Sequence, residues 1–324
     1  MPVFNRLSAT QKAILTLFKS DRSIPFTITV VDNGSESALV NKLREFHQNG
    51  IIDKLFILPR NMGIACACNV GWEMTPASVY CKMDNDTAPV RKDWIKRLFK
   101  LWSHGKPVSN LGYAATREQL LENPGSMHTE DGILGVCSKN LAGTGIFIPK
   151  SVSDVLGYWN EEYGPYGAED GDYGIRMQCV DFPQYYYYGP EYIRYDLDTV
   201  NEAKYIEHGL DKKKEHKKAL IDTDGKYGKF GVNSFMLSCC IRSPRVNRRY
   251  YIKDIDEKNR VSLGEHESFK LTQKSLYECR RILLQCSQKN SFKLYDLDMH
   301  MKLKSILRDC GQDMDSFVKD CLRT

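Results

Sequence analysis

The chain has no uninterrupted apolar run of the roughly eighteen residues that a membrane-spanning helix needs, so no such helix is expected. Its opening stretch, MPVFNRLSATQKAIL, lacks the long apolar segment of a secretory leader, and none is expected. No two C-x-x-C motifs frame a structural zinc site. The 11 cysteines are odd in number and include Cys66 and Cys68 in a C-x-C and the adjacent Cys239 and Cys240. They read as reduced, mostly buried thiols of a cytoplasmic protein.

What is present is ordinary in bulk and uneven in detail. At 324 residues, 42% hydrophobic and 27% charged, the chain suits one large globular domain with a smaller appendage. The net charge of +5 conceals a division: residues 1–200 hold 20 Lys/Arg and 23 Asp/Glu, whereas residues 201–324 hold 26 and 18. Two regions with different partners are expected.

Residues 1–200 alternate in pattern. FTITVVD is rich in β-branched residues and ends at Asp32; NGSESALVNKLREF follows as a turn and helix; KLFILP and SVYCKMD read as further strands, and VRKDWIKRLFKLW as an amphipathic helix. This order predicts a mostly parallel sheet with helices on both faces. Such sheets bind ligands at the carboxyl ends of their strands, where Asp32 and Asp84 both fall. In an extended chain, Asp84 and Asp86 point the same way and could present two carboxylates to one cation. Alone, the Asp84-Asn85-Asp86 triplet reads as a surface turn.

Five motifs occur in a specific order: VVDNGS at 30–35, RNMGIACACNVGW at 60–72, KMDNDTAP at 82–89, GTGIFIPK at 143–150 and GYWNEEYGPYGAEDGDYGIRM at 157–177. Together they resemble a family 2 glycosyltransferase of the GT-A fold, over roughly residues 1–210. The resemblance implies a Rossmann-like catalytic domain at 1–210 that binds a nucleotide-diphosphate sugar, UDP-linked by preference. It implies Asp32 as the base-contacting acid and Pro2, Val3, Asn5 and Arg6 as lining of the nucleoside pocket. Asn61, Gly63 and Asn69 are expected beside the nucleotide and Asp84 near the ribose. Asp86, with His208 as a candidate partner, is expected to hold Mn²⁺ or Mg²⁺. Glu169-Asp170 matches the catalytic pair, with Asp170 as the base. The implied reaction is metal-assisted transfer to an acceptor hydroxyl with inversion at the anomeric carbon. Against the family pattern, the first strand is short and Gly171 stands where an aromatic often follows the acidic pair.

Residues 211–324 are expected to form a basic, mainly helical region serving acceptor binding or oligomerisation. Residues 212–260 carry 14 Lys/Arg against 6 Asp/Glu, which suits a polyanionic acceptor such as modified DNA, and suits a solvated face equally. A glycan or lipid-linked sugar is the other acceptor class. PQYYYYGPEYIRY is read as a strand rather than as a sugar-stacking platform, and the Gly/Ser-rich segment 125–145 as a loop, mobile or merely tolerant. Two competing functions remain. A sugar-phosphate nucleotidyltransferase would need a Gly-rich triphosphate loop that PVFNRLSAT does not supply, and a non-catalytic sugar- or nucleic-acid-binding module would not need the four acids.

Overall fold

The computed structural model describes residues 1–105, 109–114, 117, 120, 125–137, 141, 143–161, 164–165, 169–179, 183–194 and 248–266. Strands β1 (Pro2–Val3), β2 (Thr29–Asp32) and β3 (Lys54–Ile57) form a parallel sheet in that order. Its register pairs Val3 with Asp32 and Asp32 with Ile57, so all three strands end at one edge. Between them lie α1 (Leu7–Phe18) and α2 (Ser37–Gln48), and α3 (Ile64–Met74) follows β3.

Alternation along the strands explains the layering. Val30, Leu55 and Ile57 pack with Ile14 of α1 and with Leu39, Leu43 and Phe46 of α2. Their neighbours Val31, Phe56 and Leu58 pack with Ala67 and Val70 of α3. Successive side chains of a strand face opposite ways, and helices therefore cover both faces.

A second sheet of six strands runs β4 (Val79–Lys82), β9 (Ile146–Pro149), β6 (Asn110–Ala114), β10 (Gln184–Tyr188), β8 (Gly132–Val136) and β7 (Met127–Thr129). Here β6 and β10 are parallel and the other pairs antiparallel. The tyrosine run is a strand, with Tyr185 and Tyr187 buried and Tyr186 and Tyr188 less so. The segment expected as a loop at 125–145 instead contains the β7–β8 hairpin, whose tight turn uses Gly132 at φ 135°. The short strand β5 (Ala88–Pro89) pairs with β11 (Ile193–Arg194). Helix α4 (Trp94–Trp102) buries Trp94, Ile95, Leu98 and Leu101 as one apolar stripe. Two further helices are α5 (Lys150–Leu156) and α6 (Glu169–Cys179). A mainly apolar cavity of about 480 Å³ separates the β1–β2 edge from β4.

Of the region expected to be helical, residues 248–266 form a hairpin, β12 (Tyr250–Ile255) and β13 (Val261–Glu265). It joins the first sheet through the Ile57 amide, which donates to the Asn259 carbonyl at 2.8 Å, and through Val261, buried beside Val31 and Phe56. Arg248, from the basic stretch, is no solvated charge. It is buried, pairs with Glu73 and lies 3.8 Å from Glu161. Glu161 Oε2 accepts from the amides of Arg249 and Tyr250 at 2.7 and 2.9 Å. Arg249 pairs with Glu265. Lys212, Lys213, Lys214 and His208 lie outside the described residues.

Candidate active site

Three loops meet at the carboxyl edge of the parallel sheet. The first follows β1, where Asn5 and Arg6 both take left-handed backbone at φ 50° and 63°. Non-glycine residues adopt that region at a cost and are held there by their surroundings. Asn5 is held from both ends: its amide donates to Ser35 Oγ at 2.9 Å, and its Oδ1 accepts from the Glu36 amide at 3.0 Å. The turn directs Arg6 to Asp86, with Nη1 at 2.7 Å from Oδ2 and both side chains buried.

The second loop follows β2. Asp32 is fully buried, and its carboxylate accepts from the amides of Gly34 and Ser35 at 3.2–3.3 Å. Burial raises its pKa, opposed by those hydrogen bonds. Gly34 is required here: at φ 80°, a Cβ would lie 2.3 Å from the Arg60 carbonyl carbon. Asn33 and Asn61 lace this loop to the one after β3, because Asn33 Nδ2 donates to Asn61 Oδ1 and Asn33 Oδ1 accepts from the Met62 amide. Gly63 sits at φ 95°, with space for a Cβ closed by the Gly164 carbonyl at 2.5 Å. A cavity of about 490 Å³ opens beside Asp32, Gly34 and Ser35, and the hairpin residues Asp256, Arg260 and Ser262 form its far wall.

The third loop follows β4 and carries the acidic triplet. Its middle residue is as engaged as its acids: Asn85 Nδ2 donates to Thr10 Oγ1 at 2.9 Å and to the Asn5 carbonyl at 3.3 Å. The Asp84 amide donates to Thr144 Oγ1 at 3.2 Å, and Thr87 and Thr144 share a hydrogen bond of 2.8 Å. The GTG turn thus braces the triplet. On the inner side, Lys82 Nζ lies 3.1 Å from Asp84 Oδ1 and 3.6 Å from Glu169 Oε1, and it donates to the Gly143 carbonyl. Burial is the largest single influence on Lys82 and would lower its pKa. Asp84 and Glu169 outweigh it, so the group stays a firm ammonium. Glu169 is buried, which pushes its pKa up to about 7; Lys82 opposes that rise and Asp170 adds to it. A Cβ on Gly143 would lie 3.0 Å from both Asp170 Oδ2 and Lys82 Nζ, which puts Asp170 at the same turn.

Asp84, Glu169 and Asp170 therefore converge around Lys82, and Asp86 joins the same loop through Arg6. Asp32, Asn5, Asn61 and Gly63 line the neighbouring loops. Pro2 and Val3 are buried in β1, where Val3 serves the core. Asn69 engages Trp159 and Glu161. It is fully buried, its Nδ2 donates to the Trp159 carbonyl at 2.9 Å and to Glu161 Oε1 at 2.7 Å, and its Oδ1 accepts from the Trp159 amide at 2.9 Å. Its amide is spent on the fold. Sequence reasoning missed Lys82, Asn85, Thr144 and Glu161. Of these, Lys82 alone left a signal, as a charge within the strand VYCKM.

With all groups ionised, Asp84, Asp86, Glu169 and Asp170 exceed Lys82 and Arg6 by two negative charges. Hard carboxylate oxygens with that excess suit a divalent cation that draws its remaining ligands from water and a diphosphate. Among the described residues, no cluster of three or more His, Cys, Asp or Glu could hold a metal by itself. Cys66, Cys68, Cys81 and Cys137 are free thiols. Burial pushes Cys68 and Cys81 up to about 12, so neither is a nucleophile at neutral pH.

The helix-covered parallel sheet together with the second, mainly antiparallel sheet is a GT-A fold. Residues 1–128 match the model of the family described as glycosyl transferase family 2. The solved structures that share its fold include two with bound nucleotide and Mn²⁺. One is a mannosyltransferase from Pyrobaculum calidifontis in complex with GDP-Man and Mn²⁺, 13% identical at a TM-score of 0.52, covering 68% of this chain and 62% of that one. The other is GalNAc-T7 with UDP, GalNAc and Mn²⁺, also 13% identical at 0.52, covering 73% of this chain and 49% of that one. The chain thus spans less than two thirds of either neighbour. No curated protein matches its sequence. Among the described residues, no helix is long and apolar enough to cross a membrane.

Proposed function

We propose that the chain is an inverting glycosyltransferase that moves a sugar from a nucleotide-diphosphate donor, UDP-linked by preference, to an acceptor hydroxyl. The observation that carries this reading is the convergence of Asp84, Glu169 and Asp170 on one buried ammonium, next to the Arg6–Asp86 pair. The nucleoside occupies the loops after β1, β2 and β3, with its base toward Asp32. Asp84 takes the ribose side.

Asp86 and, in this proposal, His208 would hold a divalent cation, Mn²⁺ or Mg²⁺, which would offset the charge on the diphosphate. Arg6 then exchanges its carboxylate partner for phosphate oxygen, with which a guanidinium pairs equally well. Asp170 accepts the proton of the acceptor hydroxyl as that oxygen bonds to the anomeric carbon. The bond from that carbon to the diphosphate oxygen breaks, and the nucleoside diphosphate leaves with the electron pair. One displacement inverts the configuration.

The acceptor classes to compare are a glycan, a lipid-linked sugar and a polyanion such as modified DNA. The test is a panel of nucleotide sugars with Mn²⁺, read as nucleoside diphosphate release and acceptor glycosylation, for wild type and Asp170→Asn. Turnover that depends on Asp170 supports the reading. Release of pyrophosphate from a nucleoside triphosphate and a sugar phosphate would replace it with nucleotidyl transfer. Binding without turnover of any donor would leave a sugar-binding module.

A further inference from the structure

We infer that Lys82 is a positioning residue of the proposed transfer site, its buried ammonium tying the Asp84 strand to the Glu169–Asp170 helix and to the Gly143 turn. The inference rests on the function proposed above. Its side chain is 2% exposed. Its ammonium donates to the Gly143 carbonyl, 61 residues on, and to Asp84 Oδ1 on its own strand end at 3.1 Å, and it pairs by charge with Glu169 Oε1, 87 residues on, at 3.6 Å. The Trp159 ring lies 5.8 Å from the same nitrogen. The tie is therefore geometric as well as electrostatic: it sets where the D-x-D strand ends relative to the start of α6.

The charges facing Glu169 among the described residues are Lys82 from β4, Asp84 from the loop after β4 and Asp170 from its own helix. Lys82 is the one cation of the three. Glu169 Oε2 is buried with no hydrogen-bond partner among the described residues, so the carboxylate relies on Lys82 to remain charged. Without Lys82, Glu169 takes up a proton, Asp84 loses this ion pair and the Gly143 carbonyl loses the Lys82 donor. Asp170 then faces a turn that is no longer pinned.

The test compares wild type with Lys82→Met, Lys82→Arg, Glu169→Gln and the double variant Lys82→Met/Glu169→Gln. Thermal midpoints are taken from pH 5 to 9 in EDTA without substrate. Lys82→Met should fall further below wild type as pH rises, and the double variant should regain stability and lose that slope. Equal midpoints for Lys82→Met and the double variant at every pH would overturn the tie. The pH profile of kcat/KM for the donor gives the second readout. In Lys82→Met its acidic limb should move up by about one to three pH units, the effect of removing an opposite charge at this range. A limb that stays in place would reduce Lys82 to packing. Should Lys82→Met fail to fold, Lys82→Arg decides: it should keep the wild-type limb while kcat falls by about 10²-fold, as displaced groups cause. A displaced limb in Lys82→Arg would contradict the inference. If no nucleotide sugar turns over even with wild type, the proposed function fails, and the stability series still decides whether Lys82 ties the acids.

Discussion

Asn69→Ala separates a fold role from a nucleotide role at one residue. The substitution removes the partners of three buried groups: the Trp159 amide, the Trp159 carbonyl and Glu161 Oε1. A buried polar group left without a partner costs about 1–3 kcal/mol. Three such groups in the lower part of that range give about 3–6 kcal/mol. For a domain of this size, 1 kcal/mol moves the midpoint by about 2–4 °C, so a fall of at least about 6 °C is expected. The loss should grow with pH. Glu161 is already raised by burial, and the Asn69 hydrogen bond is the first influence opposing that rise. Asn69→Asp keeps the acceptor for the Trp159 amide but sets a carboxylate against Glu161, and it should be at least as unstable. The assay is thermal unfolding at pH 6 and 8, with the donor KM measured at a temperature where the variant is folded. A midpoint within 2 °C of wild type, together with a KM raised about tenfold or more, would refute the reasoning and return Asn69 to the nucleotide pocket.

Three further outcomes follow from the same geometry. Asp86→Ala should abolish most Mn²⁺- or Mg²⁺-dependent turnover while leaving the circular dichroism spectrum intact; full wild-type activity in EDTA would remove the cation from the reaction. Arg248→Ala leaves Glu161 without its buried cation, a loss of about 3–5 kcal/mol by the usual cost of breaking such a pair, and hydrogen exchange should rise across residues 250–266 before the parallel sheet is affected. Glu169 has a folded-state pKa raised to about 7 from 4.5, so the folded state binds more protons than the unfolded one between those values. Its stabilising contribution is full below pH 4.5 and lost as pH rises through 7. Thermal midpoints in EDTA should fall across that window, and Glu169→Gln should flatten its share of the slope.

The strand-then-acid pattern made the carboxyl edge of the sheet legible before any coordinates, because a run of β-branched residues ending in Asp is a local signal. Asp32 does end β2 of the parallel sheet, whereas Asp84 follows β4, which belongs to the second sheet and pairs antiparallel with β9. Lys82 was not legible as a tie, since its meaning depends on Glu169 and Gly143, which the chain brings back from 87 and 61 residues away. Asn69 carried two readings for a related reason: an Asn in a motif looks the same whether its amide faces a ligand or the Trp159 backbone. The basic stretch read as one block, yet Arg248 is buried against acids contributed by α3 and by the segment before α6. The hairpin at 250–265 was missed because its strands alternate only weakly, with most outward positions charged.

The central claim is that Asp170 takes the acceptor proton in a direct displacement. The most direct measurement is single-turnover transfer from a nucleotide sugar by wild type and Asp170→Asn, with donor affinity determined on the same samples. The nearly isosteric Asn cannot accept the proton, so the rate should fall by about 10²–10⁴-fold, with the donor Kd unchanged and the wild-type product of inverted anomeric configuration. Transfer by Asp170→Asn at the wild-type rate, or a wild-type product of retained configuration, would contradict the account.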